Sequence, residues 1–240
     1  MFKLIQFFLV LVYCVGCIMV SSLQAAEAGG VSKPWVVLEH PPFNASDKAS
    51  VERGAHYFMT ACAMCHNMKQ LKFDDVTRKA REALVGNDDR EWFDQPVLGN
   101  APDLSLITRS RSANWVYTYL KSYYLKEDGT YGNLVVSNSM PNPFLLADIN
   151  KTYDYKLSKD FKKGYEANFV SNALRPIESE YHLNAKEFDD YIYDLVNYLN
   201  YAGEPTQAER LSMAPYVLIY VAILSVICYL LYREYWRKIK

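Results

Sequence analysis

The stretch Arg53-Gly-Ala-His-Tyr-Phe-Met-Thr-Ala-Cys62-Ala-Met-Cys65-His66-Asn-Met-Lys69 decides how this 240-residue chain is read. Cys62 and Cys65 stand three apart on what would be a single helical turn, and His66 follows directly. Two thiols at that spacing can add to the two vinyl groups on one side of a porphyrin, and the adjacent imidazole then points at the iron from the same face. Five Cys and four His placed at random in 240 positions would give Cys-x-x-Cys-His in roughly one chain of 600, so the pattern reads as a c-type haem attachment site. A disulfide or a thioredoxin-like pair does not require the following His. A zinc site needs two more ligands at matching spacing, and the other cysteines, Cys14, Cys17 and Cys228, lie in apolar terminal runs. The expectation is one covalently attached haem c, with His66 as the proximal metal ligand.

The sixth coordination position decides between electron transfer and chemistry at an open iron. His40, His56 and His182 are candidates, as are Met59, Met64, Met68 and Met140. Met64 lies inside the attachment turn, and Met59 and Met68 are too near it to cross to the opposite face of the ring. Met140 is 74 residues beyond His66, far enough for the chain to pass the haem edge, and it sits in Asn138-Ser139-Met140-Pro141-Asn142-Pro143. Two prolines fix the loop dihedrals and remove N–H donors, which suits a backbone that must hold a thioether at iron. Met140 is the expected distal ligand.

Working outward, Ser46 or Asp47 can cap a helix whose apolar positions Val51, Ala55, Phe58 and Cys62 deliver the turn. Gly54 in the middle costs that helix roughly 1 kcal/mol against Ala, so a second helix is expected to cross closely there. The partner is the segment from Asn184 to Ala202. Asn184 and Glu187 form a capping-box-like start, Phe188, Ile192, Leu195 and Leu199 make one face, and Asp189, Asp190, Asp194 and Asn197 lie largely off it. Gly203 and Pro205 stop it. A third helix is expected from about Ser112 to Tyr124, with Trp115, Tyr119 and Tyr123 on one side, and residues 144–181 show no clean period. The fold class is mainly α, a cytochrome c-like haem domain with loop insertions plus one C-terminal transmembrane helix.

Both ends are apolar. Residues 1–26 carry one cation, a long apolar run and small residues at its end, the pattern of a bacterial signal peptide; a mitochondrial transit peptide would be Arg-rich and amphipathic. Residues 213–232 contain no charge and span about 30 Å as a helix, a bilayer's hydrocarbon thickness. Pro215 is expected in that helix's first turn. Arg233, Arg237, Lys238 and Lys240 follow against Glu234 alone, so the positive-inside rule leaves 233–240 in the cytoplasm and 27–212 in the periplasm of a bacterial inner membrane, anchored by a single pass. The net charge of −1 excludes a general nucleic-acid surface, and 15% aromatic residues with ten Gly and ten Pro exclude disorder. Setting the tail cations and Lys3 aside leaves the periplasmic part net acidic, the sign that attracts a basic soluble partner.

The order of these segments resembles the cytochrome c1 family, the haem subunits of quinol:cytochrome c oxidoreductases. The resemblance rests on RGAHYFMTACAMCHNMK around the haem, APDLSLITRSR followed by WVYTYL, NLVVSNSMPNPF at Met140, and DLVNYLNYAGEP before the anchor. Ala101-Pro102 stands where the family often has two prolines, and Trp115 where Tyr is common. The resemblance implies that an Arg of Arg109-Ser-Arg111 binds a haem propionate, by position Arg111, because a buried propionate needs a guanidinium partner. It also implies cytochrome b, a Rieske iron–sulfur protein, a cytochrome c and membrane lipid as partners in a dimeric complex. The expected role is a subunit, not catalytic alone, that passes one electron from the Rieske protein to cytochrome c. Two alternatives stay open here: a membrane-anchored cytochrome c feeding a terminal oxidase, and a haem-free periplasmic binding or scaffold protein.

Overall fold

Asp47 starts the helix that carries the attachment turn: its backbone is extended and its carboxylate accepts from the Ser50 amide at 3.2 Å, satisfying an N–H that the helix cannot. The computed structural model describes residues 36–86, 91–94, 101–136, 140–147, 155–158, 174–176 and 185–237. In chain order these form α1 (Lys48–Ala61), a 3-10 turn (Lys69–Leu71), α2 (Asp75–Val85), α3 (Glu91–Asp94), α4 (Ile107–Arg111), α5 (Ala113–Lys121), β1 (Tyr123–Leu125), β2 (Tyr131–Asn133), α6 (Phe144–Ala147), β3 (Tyr155–Leu157), β4 (Leu174–Pro176), α7 (Ala185–Gly203) and α8 (Gln207–Arg237). The protein is mainly α, and it ends in one long apolar helix.

The expected crossing of α1 and α7 is present at Gly54. A Cβ there would overlap the Asp194 carbonyl and stand 2.7 Å from Tyr198 Cβ, so only glycine lets the two backbones approach this closely. Val51, Ala55 and Phe58 from α1 pack with Phe188, Ile192, Leu195 and Leu199 from α7 in the core. The expected cap Asn184 lies outside the described residues.

Two residues of α7 differ from the sequence reading. Asp194 and Asn197, expected off the packing face, are 6% and 0% exposed. The reason is a polar cluster across the crossing. Asp194 accepts from Ser50 Oγ at 2.6 Å and from Arg53 Nε and Nη2 at 2.6 and 3.0 Å, while Asn197 donates to Ser50 Oγ and the Asn44 carbonyl, each at 2.9 Å. A buried carboxylate with this many donors is satisfied where an unpaired one would not be tolerated. Further along α7, the buried Tyr198 hydroxyl lies 2.9 Å from Thr77 Oγ1, and Tyr201 donates to Asp74, the N-cap of α2, at 2.6 Å. The helix that packs on α1 thereby fixes α2 as well.

The third helix is shorter than expected. It ends at Lys121, and Tyr123 belongs to β1. Its N-cap Ser112 accepts from the Trp115 amide at 3.3 Å while holding φ 70°, ψ 150°, a conformation that strains any residue but glycine. The strands form a sheet ordered β2-β1-β3-β4, with β1–β2 and β3–β4 antiparallel and β1–β3 parallel, Leu125 opposite Lys156.

The last helix, α8, belongs to a separate unit of the chain. It runs 31 residues, about 46 Å at 1.5 Å per residue, and has a mean hydropathy of 2.3 over its most apolar window. That is long and apolar enough to cross a bilayer, and it fits a single-pass anchor. Because the helix begins at Gln207, Pro215 lies inside it and not in its first turn. The missing Pro N–H leaves the Leu211 carbonyl without its i+4 donor.

Candidate haem site

The attachment turn follows directly from the end of α1. Cys62 is the C-cap and donates to the Phe58 carbonyl at 2.8 Å, and the Cys62 carbonyl accepts from the amides of Cys65 and His66 at 3.0 and 2.8 Å. One main-chain oxygen therefore draws Cys65 and His66 back over Cys62. Trp92 closes the turn from α3, donating from Nε1 to the Ala63 carbonyl at 2.9 Å. Both cysteines are free thiols, Cys62 buried and Cys65 partly exposed. Burial, with the neighbouring Cys65 adding to it, pushes the Cys62 thiol up to about 12.

His66 is 7% exposed, and its Nδ1 lies 2.7 Å from the Pro102 carbonyl. A carbonyl can only accept, so Nδ1 carries the proton and Nε2 keeps its lone pair for a metal. Such a second bond fixes both tautomer and ring orientation. Pro102 belongs to a strap laid along the turn: Leu104 donates to the Asn67 carbonyl at 3.1 Å, and the amides of Lys69 and Gln70 donate to Asp103 Oδ2 at 2.7 Å and Ser105 Oγ at 3.0 Å. The strap leads into α4, which ends at Arg111.

Arg111 and Met140 gather on one face of α5. The Arg111 guanidinium lies 5.4 Å from the centre of the Trp115 ring, Trp115 stacks on Tyr119 at 5.1 Å, and the Tyr119 hydroxyl donates to Met140 Sδ at 3.4 Å. Met140 is half-buried. Behind it Asn142 is buried, and its side chain accepts from the Phe144 amide at 3.1 Å. Arg109 goes elsewhere, its stem against Gly203. The structure thus holds Cys62, Cys65 and His66 in one turn, and packs Arg111 and Met140 against Trp115 and Tyr119 of α5, the two groups joined through the strap and α4.

The other ligand candidates are placed differently. Met59 and Met68 are buried in the hydrophobic core, whereas Met64 is exposed. His40 and His56 lie on the surface, His40 accepting from Asn114 Nδ2 at 2.7 Å, and His182 lies outside the described residues. An open cleft of about 560 Å³ on the α1–α7 crossing, lined by Arg53, Tyr57, Glu187 and Asp190 among others, contains none of the expected site residues.

On this face of α5, among the described residues, the buried donors Arg111 Nη1 and Trp115 Nε1 have no hydrogen-bond partner. Orphaned donors of this kind cost free energy unless a ligand takes them, and a guanidinium beside an indole N–H suits a carboxylate. With a pre-set imidazole and a paired thiol turn, the residues fit a haem whose propionate reaches α5. The Pro102 carbonyl was not foreseen from sequence, since a main-chain acceptor carries no side-chain signal. The sequence puts Tyr119 and Tyr123 on one side of the helix but gives their hydroxyls no partner, although a buried tyrosine ordinarily needs one for its O–H.

This fold and donor set are those of a c-type cytochrome with a helix that fits a single-pass membrane anchor. Residues 95–239 match the model of the cytochrome C1 family. Cytochrome c1 of Allochromatium vinosum is 32% identical over 84% of this chain and 89% of its own length. The ammonia monooxygenase gamma subunit of Nitrosomonas europaea is 29% identical over 85% and 89%, and cytochrome c1 of Rhodospirillum rubrum 24% identical over 82% and 85%. The chain belongs to the cytochrome c1 family. Membership implies covalently bound haem c and the role of a haem c electron-transfer subunit.

Proposed function

We propose that this chain carries one haem c, attached through Cys62 and Cys65 and ligated by His66 and Met140, and relays single electrons from a Rieske iron–sulfur protein to a cytochrome c. The observation that carries the reading is the His66–Pro102 bond, which presents Nε2 to a metal. Bound haem supplies a one-electron couple, and a His–Met ligand pair holds it at high potential. The protein's residues do the rest. Arg111 would neutralise a propionate, Trp92 and the strap hold the turn, and Met140 as a ligand would leave no place at the iron for oxygen.

Residues 1–26 serve as a signal peptide and 27–212 as the periplasmic domain; 213–232 span the membrane and 233–240 remain in the cytoplasm. Cytochrome b and the Rieske protein are the neighbours in a dimeric complex of the bacterial inner membrane. The cytochrome c1 relatives and the long apolar helix α8 support the membrane anchor.

The test is ligand access. The purified complex should hold one covalent haem per copy of this chain, and its dithionite-reduced form should not shift its Soret band under carbon monoxide. Met140→Leu should open the site and bring the shift on. Carbon monoxide binding by the unaltered protein, or an absence of covalent haem in it, would overturn the proposal. Copurification with a terminal oxidase and without cytochrome b would assign the chain to a different partner.

A further inference from the structure

Of the groups around Met140, the hydroxyls of Tyr119 and Tyr123 are neither ligands nor propionate donors. Tyr119 is 7% exposed, and its hydroxyl lies 3.4 Å from Met140 Sδ. It also lies 2.7 Å from the Tyr123 hydroxyl, which in turn stands 3.4 Å from the Met140 carbonyl. Each phenol has one proton, and the short contact between the two hydroxyls consumes one of them. Two arrangements satisfy that count. In the first, Tyr123 donates to Tyr119 and Tyr119 donates to the sulfur. In the second, Tyr119 donates to Tyr123 and Tyr123 donates to the carbonyl, leaving the sulfur without a donor.

We infer that Tyr119, held by Tyr123 and by its stack on Trp115, is a positioning residue that donates a hydrogen bond to the sulfur of Met140 and raises the reduction potential of the haem. The inference rests on the proposal that Met140 is the axial ligand. A thioether sulfur has two lone pairs. With one directed to iron the other remains to accept, so ligation and the Tyr119 bond are compatible. A donor on the second lone pair withdraws density from the sulfur and weakens its donation, which disfavours the ferric state more than the ferrous state. Hydrogen bonds to ligand atoms are an established lever on potential. The first arrangement is favoured because donation from Tyr123 polarises Tyr119 and makes it the better donor. The stack of Trp115 on Tyr119, nearly parallel at 7° between planes, fixes the ring that aims the hydroxyl.

The experiment compares Tyr119→Phe, Tyr123→Phe and Met140→Leu in the intact complex by equilibrium redox titration, with near-infrared absorption of the ferric haem alongside. Tyr119→Phe keeps the stack and removes only the hydroxyl. It should retain the methionine charge-transfer band and lower the potential, shifting the electron-exchange equilibrium with a reference couple by roughly three- to tenfold, where tenfold is about 59 mV for one electron. Tyr123→Phe should lower it by less, since Tyr119 keeps its proton for the sulfur. An unchanged potential in Tyr119→Phe overturns the inference, and a raised potential in Tyr123→Phe does so too by favouring the second arrangement. Met140→Leu separates the two claims. Its loss of the methionine band with no shift in Tyr119→Phe defeats this inference alone, whereas persistence of the band defeats the ligand assignment beneath it.

Discussion

Replacing Gly54 by alanine sets two effects of opposite sign against each other at the point where α1 meets α7. In an isolated helix the change would stabilise by about 1 kcal/mol, because alanine has less backbone entropy to lose. Here the new methyl would overlap the Asp194 carbonyl and lie 2.7 Å from Tyr198 Cβ. Neither obstacle is the end of a flexible side chain, so the helices must part. Overpacking of this kind costs ~1–3 kcal/mol. Parting also lengthens the bonds from Ser50 and Arg53 to the buried Asp194 carboxylate, and a hydrogen bond to a charged group contributes about 1.5–3 kcal/mol. The clash wins, with a net loss of roughly 2–4 kcal/mol, or about 5–15 °C in Tm for a domain of this size. Thermal unfolding of the solubilised protein followed by circular dichroism measures it. A Tm equal to or above that of the unaltered protein would refute the reasoning, because helix propensity would then have outweighed the crossing.

Ser112→Gly should raise stability by about 1 kcal/mol, because it relieves the φ 70° strain at the cost of a few tenths for the cap, while Ser112→Ala keeps the strain, loses the cap and should lower the Tm. Arg111→Gln should lower the haem potential and make it depend on pH near neutrality, since an uncompensated propionate stabilises the ferric state and titrates at higher pH; a redox titration at several pH values checks this. Burial pushes the Tyr117 phenol from 10.0 up to about 12. The folded state therefore holds that proton where the unfolded chain has released it, so the stabilisation is complete below pH 10 and is lost between about pH 10 and pH 12. Tm measured across that range should fall less steeply in Tyr117→Phe.

What the sequence made legible was local. A helix with an acidic cap, an apolar stripe and one glycine gave α1 and its close crossing with α7, because a glycine inside a good helix has few explanations other than a neighbour. The thiol pair and His66 were readable for the same reason: their spacing is itself the chemistry. Asp194 and Asn197 were misplaced because a polar residue on an amphipathic helix defaults to solvent. Only the positions of Ser50 and Arg53, more than 140 residues away in sequence, bring them inside. The sheet was invisible because its strands are three residues long, too short for alternation to show, and β1 and β3 pair across 30 residues. The uncharged run alone puts Pro215 in a first turn, whereas α8 extends beyond that run, through Arg210 at one end and to Arg237 at the other.

The central claim is tested most directly by single-turnover reduction in the native membrane. A quinol pulse should reduce the c-type haem of this chain only when the Rieske protein is present and its cluster intact, and added ferric cytochrome c should then reoxidise that haem within the turnover time of the complex. Reduction that survives removal of the Rieske protein, or a reduced haem that cytochrome c leaves untouched, would contradict the account.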